Sequence, residues 1–195
     1  MDEPALEAGF TIRYILPVTQ GLAALSNMPE SSRRPHPAKP GKEIVEFERS
    51  PPIPTYLVAA IIGQLVGRRS PCPGLQTVVT VWAVPERAGW LREAVETAGP
   101  AFRFMEQFTG VDFPLPKADL VAMPGAGGAM ENWGLLRMDE TSFLVNDAVE
   151  GVHEKADSAS ITCHEIAHQW FGDFVTMEWS VLTSFESIPS TSDLL

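Results

Sequence analysis

The sequence predicts an α+β protein, on three observations. Over residues 1–84, β-branched and alternating runs are separated by proline-rich turns, which is the signature of short strands. From residue 85 the pattern changes, and Leu91, Val95, Ala98, Phe102, Met105 and Phe108 recur at helical spacing. A further short strand, Ala118–Met123, and a second helical stretch ending near Phe171 follow, with no internal repeat.

Residues 10–26 read as strands, with Pro17 ending or edging the first of them. Residues 27–42 concentrate proline, glycine, serine and asparagine and predict an exposed, mobile loop, in which Arg33, Arg34 and Lys39 are solvated charges. Glu43–Arg49 alternates like a half-exposed strand, and Ser50-Pro-Pro-Ile-Pro-Thr is a rigid connection. Residues 56–66 and 76–84 read as buried strands. The helix over Glu86–Thr109 contains Pro100, which should kink or split it, and Gly110 is a natural stop. Gly127 and Gly128 allow a ligand close to the backbone, or simply make a tight turn. Asp157 or Ser158 can cap the last helix, which Gly172 ends; Ile161, Ile166 and Trp170 bury one of its sides. The chain divides into residues 1–84, 85–179 and a tail at 180–195.

Composition narrows the function. A net charge of −11 disfavours nucleic acid and anionic membrane as partners and suits cationic substrates better. There is no run of eighteen apolar residues, so no transmembrane segment is expected. The start, Met-Asp-Glu-Pro, lacks the basic and apolar regions of a secretory signal. Cys72 and Cys163 do not suggest a disulfide framework, which makes a reducing, cytoplasmic setting the expectation.

The chemistry concentrates in His164-Glu165-Ile166-Ala167-His168. Positions four apart share one helix face, so two imidazoles can grip one zinc ion, with Glu165 beside a water on that metal as general base. Cys163 lies about 100° around the helix from His164 and reads as a small apolar residue.

Thirty residues upstream stands Gly128-Ala-Met-Glu131-Asn-Trp-Gly134. This pair of motifs, with Gln-Trp-Phe-Gly-Asp after the second histidine, resembles the zinc aminopeptidases of the aminopeptidase N (gluzincin) family. Ala24-Leu-Ser-Asn-Met-Pro, Val45-Glu-Phe-Glu-Arg-Ser-Pro and Phe113-Pro-Leu-Pro-Lys-Ala-Asp resemble further segments of it. The resemblance covers residues 10–179 and implies an internal fragment or truncated form. Residues 1–84 would be the C-terminal half of an all-β saddle domain, and 85–179 the start of a thermolysin-like catalytic domain. It implies a zinc metallopeptidase that releases N-terminal residues from peptides. One zinc ion would be bound by His164 and His168, with Glu165 as the base. Glu131 would bind the free α-ammonium of the substrate, and the backbone of Gly128 and Ala129 would align the peptide as an added strand. The loop before Gly128 is one residue shorter than the usual family form, which leaves the aim of Glu131 open.

The third zinc ligand is where the sequence departs from the family. The family's glutamate falls on Ser187, and Glu186 stands one residue early. Either a one-residue deletion lets Glu186 reach the metal, or the resemblance ends at Trp179. Similarity is lost over more than one residue, which favours the second. The family's oxyanion-stabilising tyrosine has no counterpart in this sequence. The alternative function is therefore a catalytically inactive fragment that retains metal or peptide binding or interacts with partners.

Overall fold

The computed structural model describes residues 4–19 and 21–176. Eleven strands and three α-helices follow in order: β1 (Ala8–Gly9), β2 (Arg13–Pro17), β3 (Leu22–Ser26), β4 (Glu30–Pro35), β5 (Lys42–Phe47), β6 (Pro52–Ile53), β7 (Ala60–Gln64), β8 (Val66–Arg69), β9 (Val78–Ala83), α1 (Arg92–Thr109), β10 (Lys117–Met123), β11 (Leu135–Asp139), α2 (Glu140–Phe143) and α3 (Val152–His168). The fold is α+β.

The sheet that positions the site runs β8-β9-β10-β11. β8 pairs antiparallel with β9, whereas β9, β10 and β11 are mutually parallel. Parallel neighbours need a crossover. Between β9 and β10 that crossover is α1, and between β10 and β11 it is the Gly-rich segment that begins at Pro124. The change in composition after residue 84 is not a break in this sheet, because β8 and β9 join strands from beyond it.

Side chains alternate across the sheet and so decide its two faces. Val79, Val81 and Ala83 on β9, Ala118, Leu120 and Ala122 on β10, and Leu136 and Met138 on β11 form one core with Ala98, Phe102 and Met105 of α1 and with Ile166 and Trp170. Val121 and Leu135 point the other way, against Leu25 of β3 and Ile61 of β7. β10 is covered on both faces, hence the apolar run over residues 120–123 that follows its Lys117–Asp119 pair. A smaller core of Leu16, Ala24, Val45 and Phe47 holds β2-β5-β4 and β3 together.

Four expectations from the sequence are corrected. Residues 27–42 contain the strand β4, which pairs antiparallel with β5. Its side chains are mostly exposed, so it carries no apolar signature. Backbone bonds hold it, with Arg33 paired to Glu30 at 2.7 Å and to Glu43. Residues 56–66 are not one buried strand. A 3₁₀ turn (Thr55–Leu57) precedes β7, where Ile61 is buried but Ile62 faces solvent. The helix predicted to start at Glu86 opens instead with a 3₁₀ segment (Pro85–Trp90), and α1 then runs unbroken through Pro100. The Ser70 hydroxyl enters the ladder there: it donates to the Val95 carbonyl and accepts from the Gly99 N–H at 2.7 Å. That side chain opens the turn beside the proline, one of the recognised ways a helix yields locally. Finally, α3 begins at Val152, five residues before Asp157.

Gly110 ends α1 as expected. It takes a left-handed φ of 71° while its N–H donates to the Glu106 carbonyl at 2.9 Å.

Candidate active site

The roll of α3 is set by its polar buried side. The Ser158 hydroxyl donates to the Phe143 carbonyl at 2.6 Å, and Thr162 donates back to Ser158 at 2.7 Å. At the helix start Glu154 accepts from the Gly151 N–H at 2.8 Å. With Ile166 in the core, His164 and His168 come to lie half-buried on a shared face. Their Nε2 atoms are 3.1 Å apart and their rings are nearly perpendicular, at 83°.

The tautomer of His168 follows from its neighbour. Its Nδ1 lies 3.1 Å from the Phe171 carbonyl, which can only accept, so Nδ1 carries the proton and Nε2 presents a lone pair. Two nitrogens about 2.0–2.1 Å from one tetrahedral zinc stand roughly 3.3 Å apart. The observed pair therefore fits a shared zinc ion with almost no rearrangement. Burial, reinforced by His168, lowers the pKa of His164, which favours the neutral form a ligand needs. Among the described residues no third His, Cys, Asp or Glu completes a metal-binding group. Glu186 and Ser187 lie outside the described residues. Cys163 is half-buried against the core, and burial raises its thiol pKa.

The segment from Pro124 to Gly134 meets this site at Glu131, whose carbonyl accepts from the Gln169 amide and whose charge acts on His164 and Glu165. Met130 and Arg137 exchange both backbone hydrogen bonds at 2.8 Å, so the segment turns back on the free edge of β11. The Arg137 guanidinium donates to the Ala126 carbonyl at 3.2 Å, and Asp139 accepts from the Gly127 N–H at 2.8 Å. Gly128 is exposed, and Ala129 is half-buried against the main core.

Asp139 also accepts from the hydroxyl and amide of Thr141; these bonds, the hydroxyl first, hold its carboxyl below the usual aspartate value. A depressed carboxylate stabilises the fold above its unfolded pKa, and that contribution disappears as pH falls through the folded value. An NMR titration of the Gly127 amide is expected to show the loop released with a midpoint below about 3.9, the ordinary aspartate value. A midpoint at or above that value would refute the anchoring role.

Gly134 closes the segment with φ +75°, and an added Cβ would lie 2.6 Å from the Asn27 carbonyl oxygen and 2.8 Å from Leu115. Both the conformation and the space demand glycine. Gly134→Ala is expected to destabilise the chain by about 3 kcal/mol or more, read by urea unfolding. A loss under about 1 kcal/mol would show that the backbone gives way easily there.

Electrostatically the site is acidic. Burial and the Glu131 carboxylate push Glu165 up to about 7, and Arg137 offsets part of the shift. Burial, then Glu131 and Glu165, also raise Asp173 well above the ordinary aspartate range. Glu131 also offsets part of the lowering that burial and His168 impose on His164. Glu131, Glu165, His164 and His168 are thus brought into one electrostatic neighbourhood, which suits a divalent cation and an ammonium group.

Gln169, Asp173 and Asn27 stand within segments that carry the family resemblance, but no individual role follows for them from the sequence. Gln169 and Asp173 are both buried, and the amide of Gln169 bonds to Glu131, Gly134 and Asp173. Asn27 is buried too; it donates to the carbonyls of Leu57 (2.8 Å) and Trp133 (2.9 Å) and accepts from the Ala59 N–H (2.9 Å). Beyond their place in those segments, the signal was that a polar residue in an apolar context, once buried, must be bonded. Partners up to 106 residues away carry no local pattern.

The chain matches the Peptidase M1 N-terminal domain over residues 1–57 and the Peptidase family M1 domain over residues 93–186. It is 41% identical to aminopeptidase Q of Mus musculus over 183 residues, which is 91% of this chain and 32% of that protein. It is 37% identical to aminopeptidase N of Mus musculus and of Homo sapiens, over 91% of this chain and 18% of each of those proteins. The chain therefore spans about a third or less of the relatives it matches. With both domain types of one family present in sequence order, and motifs and relatives in agreement, the chain belongs to the M1 peptidase family.

Proposed function

We propose that this chain carries the catalytic start of a zinc-dependent aminopeptidase that releases N-terminal residues from peptides. The observation that carries the reading is the convergence of the two Nε2 atoms at 3.1 Å, with buried Glu165 next to the first histidine. A zinc ion held by His164 and His168 would supply Lewis acidity, polarising a peptide carbonyl and making water acidic enough to lose its proton near neutral pH. Glu165 receives that proton at its carboxylate and passes it to the departing amine. Glu131 pairs with the free α-ammonium of the substrate. An internal amide has no such cation, so cleavage is confined to the first residue. Gly128 and Ala129 offer backbone groups to an extended peptide. Glu186 is the candidate third ligand.

In this reading residues 1–84 are the C-terminal half of a saddle domain, joined through β8 and β9 to the sheet of a thermolysin-like domain that starts at residue 85. Residues 180–195 form a divergent tail.

The test pairs zinc titration against a chromophoric chelator with hydrolysis of leucine p-nitroanilide and its N-acetyl derivative. One equivalent of zinc should bind, only the free-amine substrate should be cleaved, and chelation should stop the reaction. Stoichiometric zinc without hydrolysis would favour the reading as an inactive, metal-binding fragment. Absence of zinc binding would sink the peptidase reading and leave the inactive fragment with peptide binding or partner interaction alone.

A further inference from the structure

Gln169 follows the second histidine directly and is fully buried. Its Oε1 accepts from the Gly134 N–H at 2.9 Å. Its Nε2 donates to the Glu131 carbonyl at 2.6 Å and to Asp173 Oδ2 at 2.9 Å. Both donors and an acceptor of one amide are therefore engaged, and the opposite orientation would set N–H against N–H and oxygen against two acceptors. Only one orientation of this side chain is compatible with its surroundings.

The bonds join the end of α3 to both ends of the turn 131–134. Two further amides hold the same turn from the β-rich side: Asn132 donates to the Tyr56 carbonyl at 3.2 Å, and Asn27 to that of Trp133. Of these three, Gln169 is the one that touches Glu131 itself, and the one that arises on the helix of the histidine pair. The backbone of Glu131 is thus tied through one buried amide to the helix end that carries the histidines.

We propose that Gln169 is a positioning residue that aims Glu131 relative to the histidine pair and so governs recognition of the substrate's free amine. This rests on the reading of Glu131 as the ammonium partner. A bond to a charged group depends steeply on placement, and a displacement of about 1 Å can undo most of its effect. Deleting the Nε2 donors should therefore weaken binding of a free amine selectively. Binding of zinc, whose two histidine ligands are held by α3 and by the Phe171 carbonyl, should be spared.

The experiment uses the full 195-residue chain loaded with zinc, and calorimetry with Leu-Gly-Gly and its N-acetyl counterpart. The unsubstituted chain should bind the free amine about tenfold more tightly, and Glu131→Ala should abolish that preference. Gln169→Met and the isosteric Gln169→Glu should abolish it as well, at unchanged zinc affinity and circular dichroism. Asp173→Asn, which keeps an acceptor for Nε2, should retain it. Retention of the tenfold preference in a folded Gln169 variant overturns the proposal. So does equal weakening of both peptides, or unfolding of both Gln169 variants, since the residue then serves the fold alone. If the unsubstituted chain and Glu131→Ala bind both peptides alike, the ammonium reading of Glu131 itself fails, and the proposal with it.

Discussion

Glu165→Gln is expected to lower peptide hydrolysis by about 10²–10⁴-fold at saturating zinc, the usual contribution of a positioned general base. The substitution keeps size and hydrogen-bonding reach but removes the atom that takes the proton. Glu165 sits on α3 directly after His164, 7% exposed, and burial, then the Glu131 carboxylate, favours proton uptake. Zinc affinity should be unchanged, because the histidine pair is placed by helix packing and by the Phe171 carbonyl bond, neither of which involves Glu165. The measurement is kcat on leucine p-nitroanilide beside chelator-competition zinc titration. A variant that keeps more than about a tenth of the rate removes Glu165 from the role of base.

Lys117→Met is expected to destabilise the chain by about 3–5 kcal/mol, read by urea unfolding. Lys117 lies at the start of β10, largely buried, with its ammonium 2.8 Å from Asp119 and 2.8 Å from the Gly134 carbonyl, and donating also to the Ser26 carbonyl. Burial lowers its pKa, and Asp119 opposes that shift. Asp119 in turn accepts from the Trp82 indole at 2.8 Å. Removing the ammonium leaves a buried carboxylate with one neutral donor, takes a donor from the Ser26 carbonyl, and leaves the Gly134 carbonyl with the Asp119 N–H alone at 3.1 Å, which is worse than removing both charges. The double variant Lys117→Met/Asp119→Leu should therefore recover part of the loss. A single-variant loss below about 1 kcal/mol would mean that water replaces the ammonium without cost. The effect also reaches the site, because Lys117 and Gln169 hold the two polar groups of the same residue, Gly134.

Local periodicity made much of this molecule legible. The spacing of His164 and His168, the apolar stripe of α1 with its stop at Gly110, and the apolar run of β10 are all consequences of how a helix or strand turns its side chains. Residues 27–42 were misread because β4 is held by backbone bonds to β5 and by charged side chains, neither of which needs an apolar pattern. Pro100 was expected to disturb α1. The hydroxyl of Ser70, supplied from another segment, lets the helix continue.

The sequence by itself determined the two histidines on one face, the acid between them, and the glycine-rich approach to Glu131. Only the tertiary structure decided the tautomer of His168, the burial that tunes Glu165, and the amide of Gln169 that ties Glu131 to the helix. The first group depends on the 3.6-residue turn, a property of neighbours in the chain. The second depends on low-dielectric burial and on hydrogen bonds between distant segments, which exist only once the sheet, the helix and the loop have packed together.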